Sequence, residues 1–163
     1  MEQEPPKKIL VKDIMTKEVM TASPEMSLLD VAKIVSEHNF NGLPVIDKNR
    51  QVVGIITEFD LIEKASEITL NTLRNVLRDI HASKDINFSV KDRSEEIYPM
   101  KVSDIMTKDP ITVSPETTYE EMIDLFRNNQ KINPVPVVDQ EKKLLGLVSR
   151  SDVLRPLGVY GFR

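Results

Sequence analysis

The sequence predicts a mixed α/β (α+β) fold made of two β-α-β-β-α repeats related by a pseudo-twofold axis, with a further helix linking them. Three observations lead there. Four sequence blocks recur in the same order along the chain. Each copy alternates short apolar runs with apolar stripes at helical spacing. The 163 residues are 40% hydrophobic and 29% charged and contain no cysteine, enough apolar material for a core that needs no disulfide or metal to hold it.

The repeat is read directly. Lys12-Asp13-Ile14-Met15-Thr16-Lys17 returns as Ser103-Asp104-Ile105-Met106-Thr107-Lys108, and Thr21-Ala22-Ser23-Pro24-Glu25 returns as Thr112-Val113-Ser114-Pro115-Glu116. The offset is 104 − 13 = 91 for both blocks. One inserted residue raises it to 92: Leu43-Pro44-Val45-Ile46-Asp47 matches Val135-Pro136-Val137-Val138-Asp139, and Val53-Gly54-Ile55-Ile56-Thr57 matches Leu145-Gly146-Leu147-Val148-Ser149. Two copies are too few for a solenoid, so they are expected to pack on each other. The chain divides into a tail (1–10), a first repeat (11–65), a linker (66–101), a second repeat (102–157) and a short C-terminal tail (158–163).

Within each repeat the elements follow in order. Residues 19–21 and 111–113 read as short extended pieces. Ser23-Pro24-Glu25 and Ser114-Pro115-Glu116 read as helix starts: serine suits the N-cap, proline the first helical position, and glutamate the positive end of the dipole. Leu28, Val31, Ala32 and Val35 form the first helical stripe; Tyr119, Met122, Ile123 and Phe126 form its counterpart. Residues 43–46 and 52–56 are short strands around a polar turn, and a second helix begins near Thr57. Pro44 and Pro136 inside strands imply an exposed edge or interrupted pairing. In the linker, residues 67–82 carry an amphipathic stripe that would cover the core or a partner subunit, and 83–99 read as loop. Tyr160 and Phe162 would fold back on the body or touch a partner.

Composition narrows the function. The 22 basic and 26 acidic side chains leave a formal charge of −4, which argues against a nucleic-acid partner. No apolar run approaches the roughly 20 residues that cross a bilayer. The N-terminus lacks a signal-peptide core, so a cytoplasmic, non-membrane location is expected. With no cysteines and only His38 and His81, thiolate chemistry and histidine-rich metal sites are not expected, and both histidines read as surface or helix-end residues. Met15 and Met106, at equivalent positions, read as packing residues.

The pattern with chemical content is glycine, two apolar residues, Thr/Ser-x-x-Asp, at Gly54…Thr57…Asp60 and Gly146…Ser149…Asp152. It places a hydroxyl where a strand runs into a helix and backbone N–H groups are free for a phosphate. One turn later, on the same face, a carboxylate can accept hydrogen bonds from both hydroxyls of a ribose. The competing reading is a capping box that only stabilises the helix. Two copies in the same context favour a binding role, and the two roles are compatible.

Taken together, the Asp-Ile-Met-Thr opening, the Ser-Pro-Glu turn, the Asn-Gly-Leu-Pro-Val-Ile-Asp strand and the Gly-Ile-Ile-Thr-x-x-Asp ending resemble CBS domains, and two in tandem resemble a Bateman module. The resemblance covers most of the chain. It implies short sheets packed face to face, two symmetry-related clefts, pairing into a homodimer, no catalysis, and a ligand such as AMP, ADP, ATP or S-adenosylmethionine. Carried over residue by residue, it places Leu147, Ser149 and Asp152 opposite Thr16, Lys17, Val19, Asn41, Gly42 and Leu43 in one cleft. It places Ile55, Thr57 and Asp60 opposite Thr107, Lys108, Ile111, Asn133, Pro134 and Val135 in the other. After the hydroxyl residue the first cleft has Arg150 and the second Glu58, which ranks the Asp152 cleft as the main nucleotide site. The alternative leaves both as solvated helix residues. Three functions compete: a ligand sensor acting on an effector protein in trans, a structural dimerisation or adaptor unit, and a nucleotide hydrolase, the last without a base–nucleophile pair or P-loop to support it.

Overall fold

The computed structural model describes residues 8–64 and 100–157. The readings of the linker helix, its loop, His81, Tyr160 and Phe162 lie outside the described residues. In chain order the elements are α1 (Val11–Ile14), α2 (Leu28–His38), β1 (Gly42–Ile46), β2 (Val52–Thr57), α3 (residues 58–64), α4 (Val102–Ile105), β3 (Thr107–Lys108), α5 (Tyr119–Asn128), β4 (Val135–Val138), β5 (Leu144–Val148) and α6 (Arg150–Leu154), followed by a 3₁₀ turn (Arg155–Leu157).

Each repeat forms an antiparallel hairpin, β1 with β2 and β4 with β5, with a bulge at the equivalent places Val45/Ile46 and Val137/Val138. The extended pieces expected at 19–21 and 111–113 contract to a single parallel bridge each, Ala22 to Val45 and Val113 to Val137. Pro44 and Pro136 lie on edge strands, β1 and β4 being outermost in their sheets, but their side chains are almost fully buried and pairing runs through them to Ile55 and Leu147. The Pro44 and Pro136 carbonyls accept from Ala22 and Val113 at 3.0 Å. A residue's N–H points the same way as its C=O, so each missing donor falls on that sparsely bonded outer side and costs the hairpin nothing.

The opening segments are exchanged. Val11 and Ile14 of α1 belong to the core of the second repeat, among Met122, Phe126, Val135, Val137 and Val148. Val102 of α4 belongs to the core of the first repeat, with Leu28, Val31, Leu43 and Ile56, and Ile105 and Met106 pack against it. The backbone follows. β3 adds to β2 through Thr107–Ile55 and Lys108–Gly54, while Thr16 and Leu147 exchange two hydrogen bonds of 2.9 Å. The hairpin tips also touch, with Val52 N–H donating to Lys142 C=O at 2.9 Å and Leu144 N–H to Arg50 C=O at 3.2 Å.

The Ser-Pro-Glu blocks are not N-caps. They form turns in which Ser23 and Ser114 carbonyls accept from Met26 and Thr117 N–H, each at 3.1 Å. The helices start four residues later, at caps Ser27 and Thr118, which accept from Asp30 and Glu121 N–H. Glu121 completes a capping box, and the Thr118 N–H it accepts holds its carboxyl below the usual range. The turns instead receive the exchanged helices. Val11 and Lys12 N–H donate to Thr117 and Pro115 C=O at 2.8 and 3.1 Å, and Val102 and Ser103 N–H donate to Met26 and Pro24 C=O, both at 3.0 Å. The first free donors of two four-residue helices are thus satisfied by the other repeat. Lys12–Glu116 at 2.8 Å and Lys101–Glu25 flank these joints and raise both ammonium pKa values, the side-chain hydrogen bond being the main cause. Such exposed pairs contribute register more than energy.

Gly54 and Gly146 mark where the exchanged segments pass closest. A Cβ on Gly146 would lie 2.7 Å from Met15 Sδ and 2.8 Å from the Thr16 carbonyl oxygen; on Gly54, 2.6 Å from Met106 Sδ and 3.1 Å from the Thr107 carbonyl oxygen. A methionine tip can swing aside, whereas a bonded backbone cannot. Gly146→Ala is therefore expected to destabilise by about 1–3 kcal/mol and Gly54→Ala by less, an order that urea denaturation checks.

Candidate functional site

The exchange leaves two clefts, each walled by one repeat's strand-to-helix ending and the other's opening segment. At the first, Ser149 ends β5 and caps α6, accepting from Asp152 N–H at 3.3 Å. Asp152, only 5% exposed, answers with Oδ2 to the Ser149 N–H at 2.8 Å and hydroxyl at 2.7 Å, while its Oδ1 is taken by Arg155. At the second, Asp60 Oδ2 accepts from Thr57 N–H at 2.8 Å and Thr57 hydroxyl at 2.6 Å. Among the described residues, nothing bonds Asp60 Oδ1. The capping-box reading thus holds in both copies, and the same groups face the clefts.

The first cleft has a volume of about 280 Å³. It gathers Thr16 and Val19 from the opening segment, Asn41, Gly42 and Leu43 from the start of β1, and Leu147, Ser149 and Asp152 from the second repeat. Lys17 is exposed and does not line it. Neither does Arg150. Its N–H donates to Asn133 Oδ1 at 3.1 Å, and its guanidinium donates to the Asn129 and Gln130 carbonyls and lies 5.8 Å from the Phe126 ring centroid. One residue past the cap, a side chain leaves the helix about 100° away, here onto the face shared with α5. Ile123, expected in the core stripe, is 38% exposed on this same outer groove.

The second cleft is slightly larger, about 330 Å³. Ile55, Thr57 and Asp60 line it together with Thr107, Ile111, Asn133 and Pro134, and the Asn133–Pro134 peptide is cis. Lys108 pairs with Gly54 instead, and Val135, 1% exposed, lies in the core. Glu58, like Arg150, is absent from the lining. What lines the cleft is the second variable residue of the motif, Phe59, as its counterpart Ser151 lines the first.

Arg150 therefore adds no charge to the first cleft, and the ranking drawn from it loses its basis. Among the described residues, the charged groups lining the first cleft are Glu18 and Asp152, with no lysine or arginine; those lining the second are Asp60, Asp109 and Lys131, whose Nζ lies 5.7 Å from the Phe59 ring centroid. Lys131 was legible as a position: carrying the 92-residue offset two residues upstream of Asn41/Asn133 pairs it with Asn39, which lines the first cleft. Its direction was not. Among the described residues no cluster of His, Cys, Asp and Glu suits a metal, and no helix is long and apolar enough to cross a membrane.

Exchanged opening helices, paired hairpins and two inter-repeat clefts define a tandem-repeat module. The chain belongs to the CBS domain family, with residues 11–67 and 102–158 each matching that domain. An uncharacterized protein of Methanocaldococcus jannaschii is 30% identical over 157 residues, covering 91% of either chain. CBSX2, a CBS-pair protein of Arabidopsis thaliana solved in complex with AMP, superposes with a TM-score of 0.68 at 28% identity, over 91% of this chain and 95% of that one. The CBS domain pair of protein MJ0100, in complex with 5′-methylthioadenosine and S-adenosyl-L-methionine, gives a TM-score of 0.68 at 26% identity, over 93% and 97%.

Because Ser149 and Thr57 cap their helices, Ser149→Ala and Thr57→Ala are each expected to cost about 1 kcal/mol in protein freed of ligand, measured by urea denaturation with the fold followed by circular dichroism.

Proposed function

We propose that this protein is a non-catalytic regulatory module that takes an adenine nucleotide or adenosyl compound (AMP, ADP, ATP or S-adenosylmethionine) between its repeats and signals its presence to a partner protein. One observation carries the reading: each cleft combines a Thr/Ser-x-x-Asp ending from one repeat with the opening segment of the other, across the Thr16–Leu147 and Thr107–Ile55 pairings. A ligand bound there touches both repeats, so its binding energy can bias their relative arrangement. The adenosine compounds held by CBSX2 and the MJ0100 pair support the ligand class. In this reading the carboxylate accepts from ribose hydroxyls, and the isoleucine, leucine and proline side chains of the lining cover the base. The module works as a cytoplasmic homodimer and reads out through an effector in trans.

The second reading, a structural adaptor, draws on the Asp152 carboxylate, whose two oxygens are already satisfied by Ser149 and Arg155. A thermal-shift series separates the two. Ligand at 100 times its dissociation constant stabilises the folded state by about 2.7 kcal/mol, several degrees in a domain of this size. Adenine compounds are expected to raise the melting temperature while GTP and cyclic dinucleotides do not. Equal indifference to all of them, in protein shown by mass spectrometry to carry no bound ligand, selects the adaptor.

A further inference from the structure

Resting on the reading that the clefts take adenine compounds, we infer that the two are chemically specialised: the Asp60 cleft takes the phosphate-bearing nucleotide, and Lys131 is the residue that selects for the phosphate. The lining charges point this way. Among the described lining residues both clefts carry two carboxylates, Glu18 and Asp152 in one, Asp60 and Asp109 in the other; the second adds a lysine, whereas beside the first the Arg155 guanidinium is already paired with Asp152. Lys131 is exposed, and among the described residues no carboxylate pairs with it; its one described contact is the Phe59 ring. A cation–π contact at 5.7 Å holds the ammonium over the cleft without neutralising it. Its charge is thus available to an anion, whereas the lysines beside Glu25, Glu116 and Glu141 already have carboxylate partners.

The ribose end agrees. Among the described residues nothing bonds Asp60 Oδ1, while Asp152 Oδ1 is held by Arg155, which a ribose hydroxyl would have to displace. The Asp60 cleft also offers more apolar wall to a base, with Ile55, Ile111, Ile132 and Pro134 in its lining. The Asp109 carboxylate in the same cleft makes the lysine decisive: without Lys131 the pocket would present a phosphate with two carboxylates and no cation. The selection is consequently for the phosphate and not for adenosine. A ligand with less negative charge loses nothing when the lysine is removed.

The test compares adenosine with AMP by isothermal titration on the full chain, wild type and Lys131→Gln. An exposed side chain is changed, so the fold is expected to survive, which the unliganded melting temperature verifies. Lys131→Gln is expected to weaken AMP about tenfold, the lower end for a hydrogen bond to a charged group at a partly solvated site, and to leave adenosine within about twofold. Asp60→Asn is expected to weaken both ligands, and to weaken AMP more than Asp152→Asn does. If wild type binds both ligands but Lys131→Gln weakens neither, or both equally, the role of Lys131 is overturned while the adenine reading stands. If Asp152→Asn and not Asp60→Asn removes AMP binding, the allocation of clefts is overturned. Wild type that binds neither ligand overturns this inference, and if ADP, ATP and S-adenosylmethionine also fail to bind, the adenine reading falls with it.

Discussion

The structure depends on the exchange of the opening segments. Four-residue helices have no independent stability, since nucleating a helix costs more than one turn returns. α1 and α4 exist because Val11 and Val102, both 0% exposed, are driven into the opposite repeat's core and because carbonyls of the opposite turn take their free N–H groups. Neither repeat is complete without the other's opening segment. The first core lacks a wall without Val102, and the second without Val11 and Ile14. The pseudo-twofold is therefore a mutual dependence in packing rather than two finished domains set side by side.

The same exchange builds the clefts. Thr16 is brought to Leu147, and Thr107 to Ile55, by the strand pairing that buries the helices ahead of them. Any ligand between these elements lies across the joint that holds the repeats together. The caps at Ser149 and Thr57 satisfy the helix ends, and among the described residues no buried side-chain nitrogen or oxygen lacks a partner. Open clefts lined by internally bonded polar groups exact little from stability, which lets a binding surface coexist with a modest core.

Pseudo-symmetry in backbone does not extend to chemistry. At equivalent places the first cleft presents Asn39 and Ser151 where the second presents Lys131 and Phe59. Duplication supplies two clefts of similar shape, and a few substitutions at positions facing them give unequal charge. Arg150 and Glu58 differ just as sharply, but their side chains leave the helix on another face, so that difference falls outside the clefts.

Much of this was legible in the sequence, for one reason: repetition carries register. The four matching blocks located both hairpins, both Thr/Ser-x-x-Asp endings and both opening segments, a resemblance to CBS domains followed from the set, and that resemblance implied which segment faces which ending. What the sequence could not determine concerns contacts across about 90 residues and directions around a helix. Ser-Pro-Glu reads locally as a helix start, yet it forms a turn whose proline carbonyl is claimed by the other repeat, and the helix is capped four residues later, at Ser27 or Thr118. Pro44 and Pro136 read as edge signals and do lie on the edge strands β1 and β4, yet their side chains are buried, because only the tertiary fold shows what covers that edge. The charge of each cleft turned on whether residue 150 or 151, and 58 or 59, looks inward. Sequence by itself determined which residues occupy the cleft-forming segments; only the tertiary structure decided which of them face the cavity, because a step of one residue turns a side chain about 100° around a helix axis.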